Sequence, residues 1–384
     1  MTRAVTGTET GLSEETRAIR ELVREFAVEE IRPGAQEADE QESFPEDVWD
    51  GLAEIDLTGL TVPAEYGGFG ADRATYAVVN EEVAYGQLAV ATALSVHCLA
   101  TSCIAEFGSE EQRQEWLPAM ADGRPVGAFC LSEPDAGSNP AQMSTTAERD
   151  GDEYVLSGDK QWITNGERAD VYVVFAKTDP DDPGSITQFL VPGEFDGVEV
   201  GRKEEKLGLR ASDTTQMQFR DVRLPSEYRL TPEGKGLSAA FRILTGGRIG
   251  IAAQAVGLAQ AAFDEAKAYA AEREQFDNSI DEIQSVRHKF SEMATQIHAS
   301  RLVVREAARQ GDAGQDNRVA ASMAKYFASE AAVDVTNEAV QIHGGYGYTT
   351  DFDVERFYRD AKITTIYEGT TEIQKKIIAR ELLD

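Results

Sequence analysis

The chain has 384 residues, with 68 acidic against 37 basic side chains and a formal charge of −31 at pH 7. Hydrophobic residues make up 41% of it, so the length predicts two or three packed domains rather than a disordered acidic chain. Such a negative field repels phosphate backbones and anionic lipids, which argues against nucleic acid and membrane surfaces as partners. The acidity also suggests a salt-adapted host, whose proteins stay soluble through hydrated carboxylates.

The cysteines, the histidines and the N-terminal segment bear on the compartment and on metal binding. Cys98, Cys103 and Cys130 have no CxxC spacing, so we expect no disulfide framework. The four histidines are scattered along the chain and predict no zinc site. The polar segment 1–11 lacks the pattern of a signal peptide, so we expect a cytoplasmic protein.

The first third of the chain follows helical spacing. Ser13 is expected to cap the first helix, and Ser109 with Gln112 has the spacing of a capping box. The segment 83–105 has no charged residue and is long enough to span a bilayer. Its polar side chains instead predict one buried core helix beside a pocket, with no insertion into a membrane.

The helical pattern changes to short β-rich runs after Gly123 and returns after about residue 236. The β-rich runs lie at 154–156, 171–176, 186–191 and 215–219. Long helices are predicted over 236–273, 281–310 and 317–343, with a last helix over 370–382. We therefore expect an α+β multidomain protein with a helical domain (1–122), a barrel-like β domain (123–230) and a C-terminal four-helix bundle (231–384).

The densest candidate for chemistry is the segment 364–374, between two helical stretches. Glu368 precedes Gly369, which allows the backbone to approach a ligand closely, and Thr370 can cap the last helix. A carboxylate on such a loop can remove a proton while a neighbouring N–H stabilises an oxyanion. The alternative is a solvated loop acid, which the local sequence alone favours.

Four further clusters combine residues suited to ligand binding. The segments 341–348 and 129–139 are rich in glycine or hydroxyl groups, 160–166 offers an aromatic ring and a hydroxyl, and 273–276 offers an arginine. A plain turn, an ordinary loop, a core tryptophan and a surface ion pair are the respective alternatives. No P-loop, Rossmann fingerprint or nucleophile elbow occurs in the sequence.

The order of these clusters carries more information than any one of them. From about residue 12 to its end, the chain resembles the acyl-CoA dehydrogenase family, FAD flavoproteins that oxidise acyl-CoA thioesters to trans-2-enoyl-CoA. The likeness rests on Leu131–Ser138 in the β region and on Gln341–Gln374 near the C-terminus. It predicts the same α, β, α order that the patterns indicate.

The resemblance implies a role for each matching residue. Glu368 would remove the α proton and FAD N5 would accept the β hydride, with Thr164 near N5 and Trp162 beside the flavin ring. The FAD-binding residues implied in the β domain are Phe129, Leu131, Ser132, Gly137, Ser138, Trp162, Ile163 and Thr164. The residues implied near the acyl-CoA are Ser138, Arg248, Tyr367 and Gly369, and no metal is implied.

In this family a neighbouring subunit completes the FAD site, and the resemblance therefore implies a homotetramer built as a dimer of dimers. The residues that match this shared part are Arg273, Phe276, Gln284, Gln341, Gly344 and Gly345. Thr370 and Glu372 match contacts to FAD within the same subunit.

Some branches of the family carry the catalytic glutamate at the position of Gly247 instead. Glycine there and Glu368 on the loop make short-chain or butyryl-type members the most similar. Asn139 and Asp277 depart from the family pattern, which affects expected cofactor and interface contacts but not the base.

Three functions follow from the resemblance. The leading prediction is an acyl-CoA dehydrogenase that passes electrons to electron-transfer flavoprotein, in fatty acid β-oxidation or in another lipid or amino-acid catabolic route. The first alternative is an acyl-CoA oxidase or another flavin enzyme on the same scaffold. The second is a non-catalytic relative that binds acyl-CoA or DNA, against which the net charge and Glu368 both argue.

Overall fold

The computed structural model describes residues 12–383, so segment 1–11, examined above for a signal peptide, lies outside the described residues. The first helices form an N-terminal layer. They are α1 (Glu14–Phe26), α2 (Ala35–Glu40), α3 (Glu46–Glu54), α4 (Arg73–Gly86), α5 (Leu88–Phe107) and α6 (Glu110–Ala121). A π-helical turn, Ala27–Ile31, continues α1.

Both predicted helix starts in this layer are confirmed. The Ser13 hydroxyl accepts the backbone N–H of Thr16 at 3.0 Å and caps α1. At α6 the N–H of Gln112 donates to the Ser109 hydroxyl, and the Gln112 side chain accepts the Ser109 N–H at 2.7 Å. Each cap satisfies donors that a helix start leaves unpaired.

The prediction of one continuous core helix over 83–105 is wrong, because the chain breaks between α4 and α5. Gln87 adopts an extended backbone there and its side-chain amide donates to the carbonyl of Ala35. Among the described residues, α5 alone is long and apolar enough to cross a membrane, and 89% of its most apolar window is buried in the protein. It is thus a core helix, as its polar side chains indicate.

The middle region is a single seven-stranded sheet with the order β1-β4-β2-β3-β7-β6, in which β5 also pairs with β4. Its strands are β1 (Gly127–Cys130), β2 (Thr146–Asp150), β3 (Glu153–Thr164), β4 (Val171–Lys177), β5 (Ile186–Pro192), β6 (Val198–Lys203) and β7 (Thr214–Pro225). The pairs β2–β3, β3–β7, β4–β5 and β6–β7 are antiparallel, whereas β1 and β4 are parallel. All four predicted β-rich runs lie in strands.

The C-terminal region is helical and closes with a bundle around α9. Its helices are α7 (Gly236–Glu272), α8 (Gln284–Asp312), α9 (Arg318–His343), α10 (Val354–Thr364) and α11 (Thr371–Leu383). A small hairpin of β8 (Glu274–Gln275) and β9 (Asn278–Ser279) follows α7. The long predicted helices are confirmed, and α10, which the periodicity analysis did not include, packs between α7 and α9.

Three hydrophobic cores organise these layers. One joins the N-terminal and C-terminal helices, and one lies within the sheet. The third connects the sheet to the helices: it contains Leu99 of α5, Ala136 in the loop after β1 and Ile243 of α7. That third core brings the loop after β1 against α5 and α7, next to the turn that carries Glu368.

Candidate active site

Glu368 lies on a tight turn between α10 and α11. Its backbone is left-handed (φ 53°), as is that of Gly369 (φ 93°), a conformation that costs energy for a residue with a side chain. The Thr371 N–H donates to the Thr365 carbonyl at 3.0 Å and closes the turn, while the Thr370 hydroxyl accepts the Ile373 N–H and caps α11. The predicted cap is confirmed.

The Glu368 carboxylate is aimed into the protein, and its Oε2 atom is buried without a hydrogen-bond partner. Burial raises the pKa of Glu368, and the positive charges of Arg248 and Lys325 oppose that rise. Arg248 is itself buried, with an unpartnered Nε, and burial lowers its pKa. An acid in this setting is more basic than a surface carboxylate, which suits a group that removes a proton.

Space for Glu368 comes from a glycine on α7. A Cβ atom at Gly247 would lie 3.4 Å from Glu368 Oε2 and 3.2 Å from the Leu99 side chain. The two positions at which the family places its glutamate therefore meet at one point in this fold. Because residue 247 is glycine, the Glu368 carboxylate can occupy that space.

Tyr367 joins a buried polar network beside Glu368, and the sequence analysis did not identify this network. Its hydroxyl donates to Gln254 Oε1 at 3.2 Å and lies 3.4 Å from the Thr92 hydroxyl. The Gln254 amide in turn donates to Asn80 Oδ1 at 2.8 Å and to the Ala91 carbonyl at 3.0 Å. This network links α4, α5 and α7 into a fixed wall next to Glu368.

The loop that follows β1 is anchored by a buried ion pair. Lys160 donates to Glu133 Oε1 at 2.9 Å and to the Leu131 carbonyl at 3.4 Å. Glu133 also accepts the backbone N–H and the hydroxyl of both Ser144 and Thr145. Burial alone would raise the pKa of Glu133, but Lys160 and these donors lower it to about 2. The loop that carries Ser132–Ser138 is thereby fixed to the sheet.

Trp162 is exposed and does not lie in the core of the sheet. A core position was the alternative to cofactor binding, but 54% of its surface is exposed. Its left-handed backbone (φ 58°) and a register shift in β3 also break the extended geometry behind the expected pairing with Thr164. A Cβ at Gly137 would lie 3.7 Å from its ring. An exposed indole beside the loop after β1 offers a flat apolar surface.

The other predicted residues of this region differ in burial. Phe129 packs on Phe175 with ring centroids 4.8 Å apart, and the Ser132 carbonyl accepts the Gln161 N–H at 3.0 Å. Ile163 is buried in the core of the sheet, so only its backbone can reach a cofactor. Leu131 and Thr164 are half-buried, while Gly137 and Ser138 are exposed.

A second group of predicted residues surrounds a cavity of about 590 Å³ on the C-terminal helices. Arg273, Gly344 and Gly345 line it, and both glycines have open space where a side chain would be. His343 also lines it: Nδ1 bonds to the Ala339 carbonyl at 2.8 Å, while Nε2 is buried without a partner. The Arg273 guanidinium, the exposed glycine backbone and the unpaired His343 Nε2 together suit an anionic, nitrogen-rich ligand.

The remaining predicted residues lie on the surface of the chain. Phe276 is 86% exposed on the hairpin after α7, with a left-handed backbone that it shares with Asp277. Gln284, Gln341 and Glu372 are exposed and Thr370 is half-buried. The exposed ring of Phe276 is therefore accessible to a ligand or to another chain.

Both groups fit a flavin dinucleotide in residue type, with a flat indole face in one and a basic, glycine-lined cavity in the other. Within each group, the residues lie close to one another in the structure. The first lies on the β sheet and the loop after β1, and the second lies where α7 and α9 end.

Several residues around the site escaped the sequence analysis. Gln254 and Lys325 contact residues on distant parts of the chain. His343 belongs to the glycine-rich segment 341–348 but was not singled out there as a ligand-binding side chain. One signal was available: Lys325 is the one lysine of α9, in a stretch of small apolar residues. A lone charge on an apolar helix face indicates a buried partner.

Comparison with known proteins covers nearly the whole chain. Family models described as the N-terminal, middle and C-terminal domains of acyl-CoA dehydrogenase match residues 13–124, 128–222 and 234–383. A short-chain specific acyl-CoA dehydrogenase of Clostridium acetobutylicum is 43% identical, over 97% of this chain and 98% of the relative.

Two solved structures share the fold. Butyryl-CoA dehydrogenase from Megasphaera elsdenii is 38% identical with a TM-score of 0.94, over 97% of this chain and 99% of that one. A chain from a study of the electron transferring flavoprotein of Acidaminococcus fermentans, concerned with flavin-based electron bifurcation, is 41% identical with a TM-score of 0.95 over the same shares. The predicted three-part architecture is confirmed.

Proposed function

Because the chain belongs to the acyl-CoA dehydrogenase family, a family of FAD flavoproteins, we propose that it oxidises a short acyl-CoA thioester to trans-2-enoyl-CoA with Glu368 as the base. The observation that carries this proposal is the buried, unpartnered Glu368 Oε2 on a left-handed turn. A strained backbone that aims a desolvated carboxylate inward is costly, and such costs are concentrated at reactive sites.

The chain's own residues account for binding and proton removal. Trp162 and the loop 129–138 would hold the flavin end of FAD, and when bound FAD supplies the acceptor for the β hydride. Glu368 would take the α proton, and its backbone N–H would stabilise the negative charge that develops on the thioester oxygen. Burial of Glu368 supports this role, because it favours the protonated product state of the base.

The wall beside Glu368 supports a short acyl group. Tyr367 and Gln254 are bonded to each other and to Asn80, Ala91 and Thr92, so neither side chain can move aside without losing hydrogen bonds. A Cβ at Gly250 on α7 would lie 2.8 Å from the Tyr76 hydroxyl, so this side is filled as well. A long chain would have to displace buried, bonded polar groups.

For reoxidation, we favour electron-transfer flavoprotein as the acceptor. The similarity to the Acidaminococcus fermentans chain supports it. The alternative, an oxidase on the same scaffold, differs in one observable property. The reduced, product-bound enzyme would react rapidly with oxygen if it were an oxidase and slowly if it were a dehydrogenase.

The first test is an anaerobic visible spectrum of the purified protein, before and after butyryl-CoA is added. We expect a flavin spectrum that bleaches with butyryl-CoA and bleaches progressively less with octanoyl-CoA and palmitoyl-CoA. Flavin that no thioester bleaches would overturn the substrate class. Folded protein that takes up no FAD would overturn the mechanism as a whole.

We further propose that the FAD site is shared between subunits of a homotetramer. The exposed Phe276 and the open cavity at Arg273 and Gly344 support it, because they form a surface suited to a second chain's ligand. A ligand bridging two chains would couple FAD binding to assembly.

Mixed oligomers test this arrangement. Glu368→Gln and Arg273→Glu should each be nearly inactive alone, the second through loss of FAD. Coexpressed, they should regain about a quarter of wild-type activity, because half of randomly formed dimers are mixed and one of the two sites in each is intact. Mixtures that never exceed either parent, in oligomers shown by mass to be mixed, would place each FAD site within one chain.

A further inference from the structure

Lys325 is a fully buried lysine that the mechanism above does not use. It lies on α9, has no exposed surface, and its ammonium donates to the carbonyl of Gly369 at 2.8 Å. Gly369 directly follows Glu368 on the turn. The ammonium therefore holds the peptide next to the base and lies within the electrostatic reach of its carboxylate.

The hydrogen bond alone does not account for a charge at this place. Gln374 on α11 already donates to the same Gly369 carbonyl at 2.9 Å and to the Glu368 carbonyl at 3.3 Å. Ser329 of α9 donates to the Thr364 carbonyl at 2.8 Å. Neutral donors thus secure this turn from two helices, whereas burying an ammonium costs free energy that a neutral residue would save.

The charged groups around Lys325 come from four directions. Glu368 faces it from the turn, Arg248 from α7, Glu372 from α11 and Glu330 from its own helix. Burial lowers the pKa of Lys325 to about 7, and Glu368 is the largest influence that opposes this. Of the three acids, Glu330 accepts the Thr371 hydroxyl at 2.9 Å and Glu372 is exposed, so Glu368 is the acid with an unpartnered buried oxygen.

The groups around Glu368 complete this arrangement. Arg248 and Lys325 are its two cations, and Tyr76 and Tyr367 are phenols whose pKa values burial raises, so both stay neutral. Arg248 matches a position beside the acyl-CoA in the family and is expected to contact substrate. Lys325 contacts the turn from behind instead.

We propose that Lys325 is a positioning residue whose ammonium is held against the turn of the base and keeps Glu368 ionised, which extends activity to lower pH. The inference rests on the proposed function, because it presumes that Glu368 must be an anion before it takes the α proton. A nearby cation stabilises that anion, and removing the cation makes protonation easier. The acidic limb of the pH profile should therefore depend on Lys325.

The test compares kcat/KM for butyryl-CoA across pH 5.5–9 in wild type and Lys325→Met, which keeps the length of the side chain and loses its charge. We expect the acidic limb to move up by about one pH unit, so activity falls about tenfold below the limb and much less well above it. Gln374→Leu also removes a donor to Gly369 without changing charge. It should lower kcat while leaving the limb in place.

Controls separate this inference from the proposed function. Lys376→Met, an exposed lysine of α11, should match wild type throughout. If Lys325→Met fails to retain FAD, Lys325→Gln carries the same expectation, because a buried amide can still donate. If the acidic limb does not move when the charge of Lys325 is removed, the role of Lys325 is overturned. An inactive Glu368→Gln would in that case still support the proposed base. Activity retained in Glu368→Gln overturns the proposed base instead.

Discussion

Replacing Glu368 with glutamine should abolish dehydrogenation while leaving a folded flavoprotein. Glutamine has the same shape but cannot accept the α proton, and general-base catalysis accounts for about 10²- to 10⁴-fold in rate. The measurement is the anaerobic rate of flavin bleaching by butyryl-CoA in a stopped-flow instrument. Because Glu368 Oε2 has no hydrogen-bond partner, the amide breaks no bond at that atom and the turn should keep its conformation.

The control for this variant is Glu115→Gln, an equally conservative change on the exposed surface of α6. It should bleach at the wild-type rate. FAD content and thermal midpoint should be close to wild type in both variants, since neither change removes a packed group. Near-wild-type bleaching in Glu368→Gln would show that another group removes the proton and would return Glu368 to a structural role.

The sequence predicts those parts of this fold whose causes are local. The caps at Ser13 and Ser109 depend on residues three positions apart, and the long C-terminal helices depend on a sustained period of apolar residues. The break at Gln87 was missed because it depends on tertiary contact, including the bond from its amide to Ala35. Nothing within the charge-free segment 83–105 predicts such a break.

The candidate site shows the same difference between local and distant causes. Glu368 and Gly369 could be identified from their sequence and from the family likeness, but the electrostatics around them depend on distant helices. Lys325 reaches Gly369 across 44 positions, and Gln254 reaches Tyr367 across 113. The spacing of residues on one helix says nothing about such pairs. The expected pairing of Trp162 with Thr164 on one face fails for a related reason, because the left-handed backbone of Trp162 breaks the strand alternation.

The ion pair between Glu133 and Lys160 shows how a family motif is held in place. Both side chains are almost completely buried, and Glu133 accepts four further donors from Ser144 and Thr145. The folded pKa of Glu133, about 2, lies below its ordinary value of 4.5. Stability from this carboxylate is therefore complete above about pH 4.5 and is lost as pH falls towards 2.

Removing Glu133 should have the larger effect on stability of the two possible deletions. Glu133→Ala leaves the Lys160 ammonium buried without its partner and frees four donors, a change that costs about 3–5 kcal/mol. Lys160→Met should cost less, because the carboxylate keeps its bonds to Ser144 and Thr145. The measurements are the urea midpoint of the holoenzyme and the ratio of bound FAD to protein. The urea midpoint and the FAD ratio should both fall further in Glu133→Ala than in Lys160→Met.

The matched control is Asp159→Ala, next to Lys160 in the chain. Asp159 pairs with Arg220 at 2.9 Å, but both side chains are about half exposed, so water replaces most of what the pair contributes. Its loss should change stability by less than about 1 kcal/mol and leave FAD bound. Equal effects from Asp159→Ala and Glu133→Ala would mean that the buried pair does not anchor the loop. Loss of FAD in Glu133→Ala but not in Asp159→Ala would show that cofactor binding depends on the buried pair that anchors the loop.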